Sequence, residues 1–209
     1  AYTPPDNRLD LERLLDNWTL FINEQGDLDP LVTMAVAHYQ FEAIHPFTDG
    51  NGRTGRIVNV LMLCAAGLLH LPVVYPSRTI IETKSEYYRL LRAVTAEGAW
   101  EEWVLYMVKS LTASAERTLA LVSGISALES TLAIEVREVL GTANRDLVLL
   151  LMEQPYVRMK DVVGRCGVTR QTAARWLKPL VERRVLSDVR VGREVIFINE
   201  PLMDLLRAS

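Results

Sequence analysis

A mainly α-helical protein ending in a small α+β module is what the sequence predicts, on three observations. Apolar residues recur at three- and four-residue spacing over most of the first 144 positions. A period-two alternation, the mark of strands, runs from Val185 to Asn199 around Gly192. The charge is also divided. Residues 145–209 hold 12 Lys/Arg against 8 Asp/Glu, a balance of +4, whereas residues 1–144 hold 11 against 18, a balance of -7, within a chain of net charge -3. Two domains with different partners follow from that asymmetry. At 209 residues and 49% hydrophobic content there is enough chain to bury a substantial core.

The helices are read in order. Leu11, Leu14, Leu15, Trp18, Phe21 and Ile22 fall on one face of a first helix, which Gly26 closes. Asp29-Pro30 reads as the N-cap and first residue of a second, running to about Ile44. A third begins in the Gly-rich segment at 50–52 and extends to about Gly67; another carries Tyr87 to Val94, and a long one runs from Trp100 through the 120s. Met and aromatic side chains on these faces are expected in the core, as is His38, while His70 lies in a Leu-rich turn. Residues 116–144 stay helical in character, and Gly141-Thr142 is the best break before the basic segment.

That basic segment resembles a winged helix-turn-helix. Met159 to Cys166 gives the first helix, Gly167-Val168 the turn, and Thr169 caps a second helix carrying Arg170, Gln171 and Arg175; the alternating run at 185–199 then forms the wing. Pro179 inside the second helical pattern predicts a kink or early end. The domains expected are 1–115, a helical connector at 116–144, and 145–209. Contact with DNA or protein through Arg170, Gln171 and Arg175 is open, since such folds also serve in dimerisation, and a homodimer stays open with it.

Cys64 and Cys166 lie far apart in apolar or helical settings and read as free thiols, with neither a disulfide framework nor a metal site. The opening Ala1-Tyr2-Thr3-Pro4-Pro5-Asp6 lacks the basic start and apolar run of a secretory signal. The longest apolar stretch is read as Val60 to Tyr75, interrupted by His70 and Pro72 and too short for a bilayer. A cytoplasmic protein without membrane contact is the expectation.

The chemistry concentrates in Ile44-His45-Pro46-Phe47-Thr48-Asp49-Gly50-Asn51-Gly52-Arg53-Thr54-Gly55-Arg56. Gly50 and Gly52 free the backbone to turn so that its N–H groups point at an anion, and the helix that follows adds its positive end. Arg53 and Arg56, three apart, share a face from which forked guanidiniums grip phosphate oxygens. Asp49 is the loop's one carboxylate, and beside phosphates such a group commonly carries Mg²⁺. His45 titrates near neutrality and can take a proton from an attacking hydroxyl. The sum is a phosphate site with a base beside it.

The pattern His-Pro-Phe-x-Asp-Gly-Asn-Gly-Arg-x-x-Arg resembles the signature of Fic-domain proteins at every position from His45 to Arg56. Around it, Tyr2-Thr3-Pro4-Pro5 resembles the end of that family's target-docking flap, residues 37–44 the helix leading into the motif, and Tyr87-Tyr88 the paired tyrosines near the nucleotide base. The likeness covers roughly residues 1–115 and implies a Fic-type helical bundle.

The resemblance implies a protein adenylyltransferase moving AMP from ATP to a Ser, Thr or Tyr hydroxyl of a target protein, with self-modification and AMP removal as further activities of a full-length form. His45 is the base, Asp49 the Mg²⁺ ligand, Gly50, Asn51 and Gly52 the anion hole, and Arg53 and Arg56 the triphosphate clamp. Phe47 is read as a core anchor for the loop. Gly52 stands where phosphate-transferring relatives have Lys, which favours AMP transfer. Thr95, eight residues after Tyr87, stands where some members have Asn. The family's inhibitory Ser/Thr-x-x-x-Glu-Gly/Asn string is missing, its nearest approach being Ala93-Val94-Thr95-Ala96-Glu97-Gly98, and a fragment of a longer chain is expected. The alternative is a DNA-binding regulator whose Fic-like half senses nucleotide.

Overall fold

The computed structural model describes residues 4–5, 7–24 and 26–208; Tyr2 and Thr3 of the flap-like segment lie outside them. The chain divides into two compact units, 1–118 and 119–209.

In the first unit, helix α1 (Arg8–Asn23) starts at Asn7, whose side chain accepts from the Asp10 N–H. Helix α2 (Pro30–Ile44) starts as the sequence predicts, with the Asp29 carboxylate accepting from Leu31 N and Pro30 in the first turn. After the loop come α3 (Asn51–Ala65), α4 (Ser77–Glu82), α5 (Lys84–Glu97) and α6 (Trp100–Leu140). The near-match to the inhibitory string is the end of α5, closed by Gly98 in the left-handed region.

Helix α2 is the axis of this unit. Two indoles donate into its backbone: Trp18 Nε1 to the Ala37 carbonyl at 2.9 Å and Trp103 Nε1 to the Ala35 carbonyl at 2.8 Å. Trp103 is fully buried among Met34, Leu63, Tyr87, Leu90 and Met107. His38, 1% exposed, is a core histidine as expected, held to Tyr87 Oη of α5 at 2.9 Å and to Asn59 of α3 at 3.1 Å. A methyl group on Gly55 would lie 3.1 Å from the His38 ring, so only glycine lets α3 come this close to α2.

In the second unit the last turns of α6 bring Leu132 and Val136 into a core shared with α7 (Arg145–Glu153), β1 (Tyr156–Arg158), α8 (Met159–Cys166), α9 (Arg170–Glu182), β2 (Ser187–Val191) and β3 (Glu194–Ile198); α10 (Glu200–Ala208) follows. The three strands form an antiparallel sheet in the order β1-β3-β2, with Val191 opposite Glu194 across the hairpin. Gly167 ends α8 and the Thr169 hydroxyl caps α9, as the turn chemistry predicts.

Pro179 lies inside α9 without ending it there: the helix runs on to Glu182, Leu177 and Leu180 are fully buried on either side, and the Pro179 carbonyl accepts from Arg183 N. Residues 116–140 are helical, as the sequence predicts, and continue α6, which ends at Leu140 before Gly141. The sequence offers 60–75 as its longest apolar stretch, too short for a bilayer, but a longer candidate lies elsewhere. By length and composition α6 is the one candidate among the described residues, although it contributes Trp103, Met107, Leu132 and Val136 to folded cores. Sequence reasoning assigned no element at α4, α7, β1 or α10.

Burial holds the His38 imidazole at about 4, below its ordinary 6.5. In the unfolded chain it takes up a proton as pH falls through 6.5, and in the folded chain it resists until about 4. Stability is therefore whole above 6.5 and lost across that window, with a slope approaching about 1.4 kcal/mol per pH unit. Thermal unfolding followed from pH 7 to 4 should show this loss, and His38→Gln should show a flatter profile over the same range.

Candidate active site

The segment between α2 and α3 is six residues long, and both its ends are fixed by the helices. His45 caps α2 in the left-handed region, at φ 53° and ψ 54°, with its N–H on the Phe41 carbonyl at 2.9 Å. This is a conformation that a non-glycine residue avoids, and it is held here by its surroundings. It turns an exposed imidazole toward the cleft. Nδ1 lies 3.4 Å from the Glu42 carbonyl, which leaves Nε2 for a substrate.

Gly50, at φ 90°, is the N-cap of α3, and no side chain caps that end. The first N–H groups of a helix have no partner within it, so the turn at Asn51, Gly52 and Arg53 presents donors and the positive end of the dipole to the same cleft. Asn51 contributes backbone only. Its side chain is 2% exposed and is turned away, accepting from Phe47 N at 2.9 Å and donating to Phe47 O at 2.6 Å. This closed pair shapes the loop, a task the sequence assigned to Phe47. The Phe47 ring is 49% exposed with its centroid 6.2 Å from that of Phe41, so the amide and not the ring is the anchor.

Asp49 is exposed at the rim and accepts from Gly50 N at 2.7 Å and Arg53 Nη2 at 3.0 Å. Arg56 is set further in. Its Nε donates to Ser77 Oγ at 2.6 Å, and Ser77 is buried in the first turn of α4, so the guanidinium is oriented with its terminal nitrogens left over. His45, Asp49, Gly50, Asn51, Gly52, Arg53, Arg56, Tyr87 and Tyr88 all line one cavity of about 390 Å³, together with Glu42, Thr48, Ile80, Ile81 and Lys84.

The two tyrosines differ. Tyr87 is 4% exposed, and its hydroxyl, committed to His38, is pushed far above its usual range by burial. Tyr88 is 46% exposed, with Lys84 Nζ 5.9 Å from its ring centre. Thr95 bonds Tyr39 Oη and the Leu91 carbonyl and is not part of the cavity wall. Sequence reasoning missed Glu42, Ser77 and Lys84. Ser77 had no signal, since it lies 21 residues from Arg56; Glu42 could have been found from its place one turn before His45.

Residues 1–63 match the Fic/DOC family model, and residues 129–202 match the C-terminal domain of SoFic-like protein adenylyltransferases. The protein adenylyltransferase fic-1 of Caenorhabditis elegans is 36% identical over 120 residues, covering 56% of this chain and 22% of that protein. The protein adenylyltransferase Fic of Drosophila melanogaster is 36% identical over 85 residues, covering 40% and 16%. The chain thus spans about a fifth of the length of these relatives. A crystal structure of a Fic family protein from Desulfovibrio desulfuricans G20 superposes with TM-score 0.50 over 94% of this chain and 59% of that one, at 20% identity, a likeness of fold. With the loop geometry, these matches make residues 1–63 similar to the Fic/DOC family and residues 129–202 similar to the C-terminal domain of SoFic-like protein adenylyltransferases.

Proposed function

We propose that this chain is a protein adenylyltransferase that transfers AMP from ATP to the hydroxyl of a Ser, Thr or Tyr on a target protein. The observation that carries this reading is the pairing, in one cavity, of an uncapped helix N-terminus with a histidine held in the left-handed region. His45 takes the proton of the target hydroxyl as its oxygen attacks the α-phosphorus. The bond from that phosphorus to the bridging oxygen breaks, and pyrophosphate leaves with the electron pair. The N–H groups of the first turn of α3 hold the α-phosphate where charge develops. Arg56, oriented by Ser77, holds the far end of the triphosphate, and Arg53 supports it from the rim. Tyr88 offers the base an exposed ring beside Lys84.

Mg²⁺ fits this donor set. It commonly uses one or two carboxylates and completes its shell with phosphate oxygens and water, and Asp49 supplies one exposed carboxylate at the phosphate end of the cavity. Asp49 would hold the ion, which neutralises phosphate charge when bound. No group of three or more His, Cys, Asp or Glu among the described residues forms an all-protein site.

A second reading concerns the C-terminal unit, which we take for a winged helix-turn-helix. Arg170, Gln171, Arg175 and Lys178 share the exposed stripe of α9, and Arg190 and Arg193 flank the β2–β3 turn. Such a stripe and wing suit phosphate contact with DNA. Gel-shift measurements with the Arg170→Ala/Arg175→Ala protein test it: DNA retention that is absent in the parent, or equal in both, rejects this reading.

Intact mass after incubation with labelled ATP, Mg²⁺ and candidate targets tests the main reading, with mass gain of one AMP as the expected result. His45→Ala should lower transfer by about 10²–10⁴-fold while ATP binding stays within a few-fold of the parent; affinity falling in step with activity counts against the base role.

Arg56→Lys replaces a forked contact by a point charge, so calorimetry should find ATP weakened more than ADP. Ser77→Ala should give a milder version of the same pattern, because it frees the guanidinium without removing it.

A further inference from the structure

Glu42 is the group in the cavity wall that the reading above leaves without a task. It sits one turn before His45 on α2, and its Oε1 is buried with no hydrogen-bond partner. A methyl group on Gly55 would come within 3.3 Å of that oxygen and one on Gly52 within 3.5 Å, so both glycines leave room for the carboxyl group under the first turn of α3. A purely structural acid in such a place would be expected to accept from a nearby N–H or hydroxyl. Oε1 of Glu42 accepts none, yet the residue shares a cavity with the histidine whose charge changes in the reaction.

The charged and titratable groups around it are His38 one turn earlier and His45 at the end of its own helix, Arg56 from α3 and Tyr87 from α5; Asp49, Arg53 and Lys84 line the same cavity. Burial pushes the Glu42 carboxyl up from its usual range, opposed first by His45 and then by Arg56. A triphosphate would occupy Arg56, leaving the imidazolium of His45 as the other cation that acts on the Glu42 carboxyl group. The same dry setting that makes an isolated carboxylate costly makes its attraction to a cation stronger.

We infer that Glu42 is a positioning residue for the transfer, whose carboxylate stabilises the protonated form of His45 that arises when the ring takes the hydroxyl proton. The inference rests on the reading of this cavity as an AMP-transfer site. Glu42 keeps its own proton balance unchanged through the step: the proton goes from hydroxyl to imidazole, and the carboxylate is the counter-charge. It acts through His45 and not on the nucleotide.

The test is Glu42→Gln, which keeps the shape and removes the charge, with Glu42→Asp as the variant that restores it. Two readouts are followed: the NMR titration of the His45 ring in the nucleotide-free protein, and the pH dependence of kcat and KM for transfer. In the Gln protein the histidine titration midpoint and the acid limb of kcat should both move to lower pH, by about one unit. The plateau rate should drop roughly 3–10-fold with KM for ATP within twofold, a weaker base being a poorer catalyst. Asp should recover most of the shift. Should Gln fail to fold, Glu42→Met removes the charge with similar volume and is expected to give the same shift. An unmoved histidine midpoint in the uncharged variant overturns the proposal, as does a rise in KM that accounts for the whole loss. Because the NMR titration needs no turnover, a parent protein that transfers nothing would sink the transferase reading and still leave the Glu42–His45 coupling decided.

Discussion

The hydrogen bonds of one buried imidazole hold the arrangement on which the site depends. His38 ties α2 to α3 through Asn59 and to α5 through Tyr87 in a volume closed to water. Such groups are costly when unpaired and specific when paired, so the three helices have one way to meet. Gly55 is the matching concession on α3, because any side chain there would push the two helices apart. With the end of α2 and the start of α3 fixed in this way, the six residues between them have little freedom. The loop inherits its geometry from a contact two helical turns away.

That loop is built against local stability. His45 sits in the left-handed region and the N-terminus of α3 goes uncapped, both of which a structural turn would avoid. The compensations are nearby. The Asn51 amide closes on both backbone groups of Phe47, and the aromatic rings of Trp18, Phe41 and Phe47 form a chain along one side. Strain and uncapped donors therefore collect in the loop that lines the cavity.

The C-terminal unit has a core of its own, from Leu132 and Val136 through Val157, Leu177 and Phe197. Asn199 is its counterpart to His38: it donates to the Leu151 carbonyl, caps α10 through Leu202 N, and places its N–H on the Pro155 carbonyl. One side chain thus joins β3 to α7 and starts the last helix. The exposed cations of α9 are carried on a frame that needs nothing from them, which is why their pattern can be read as partner chemistry.

Local rules made much of the molecule legible from sequence alone. Asp29-Pro30, Gly167 and Thr169 act through neighbours within four residues, so the start of α2, the end of α8 and the cap of α9 were readable, as was the hairpin around Gly192. The grouping of His45, Asp49, Gly50, Gly52, Arg53 and Arg56 was readable for the same reason: a short loop leading into a helix keeps close in space what is close in the chain. Short elements such as α4 and β1 were not, because a turn of helix or three strand residues has no periodicity to detect and forms through tertiary contact. At Pro179 burial of Leu177 and Leu180 outweighs one missing backbone donor, and the helix continues to Glu182. The tertiary structure alone decided that Ser77 orients Arg56, that Asn51 turns its side chain inward, and that Tyr87 is committed to His38 while Tyr88 faces the cavity. The Arg56–Ser77 and His38–Tyr87 contacts depend on which distant residue arrives within 3 Å, and that is settled by packing, which no spacing along the chain encodes.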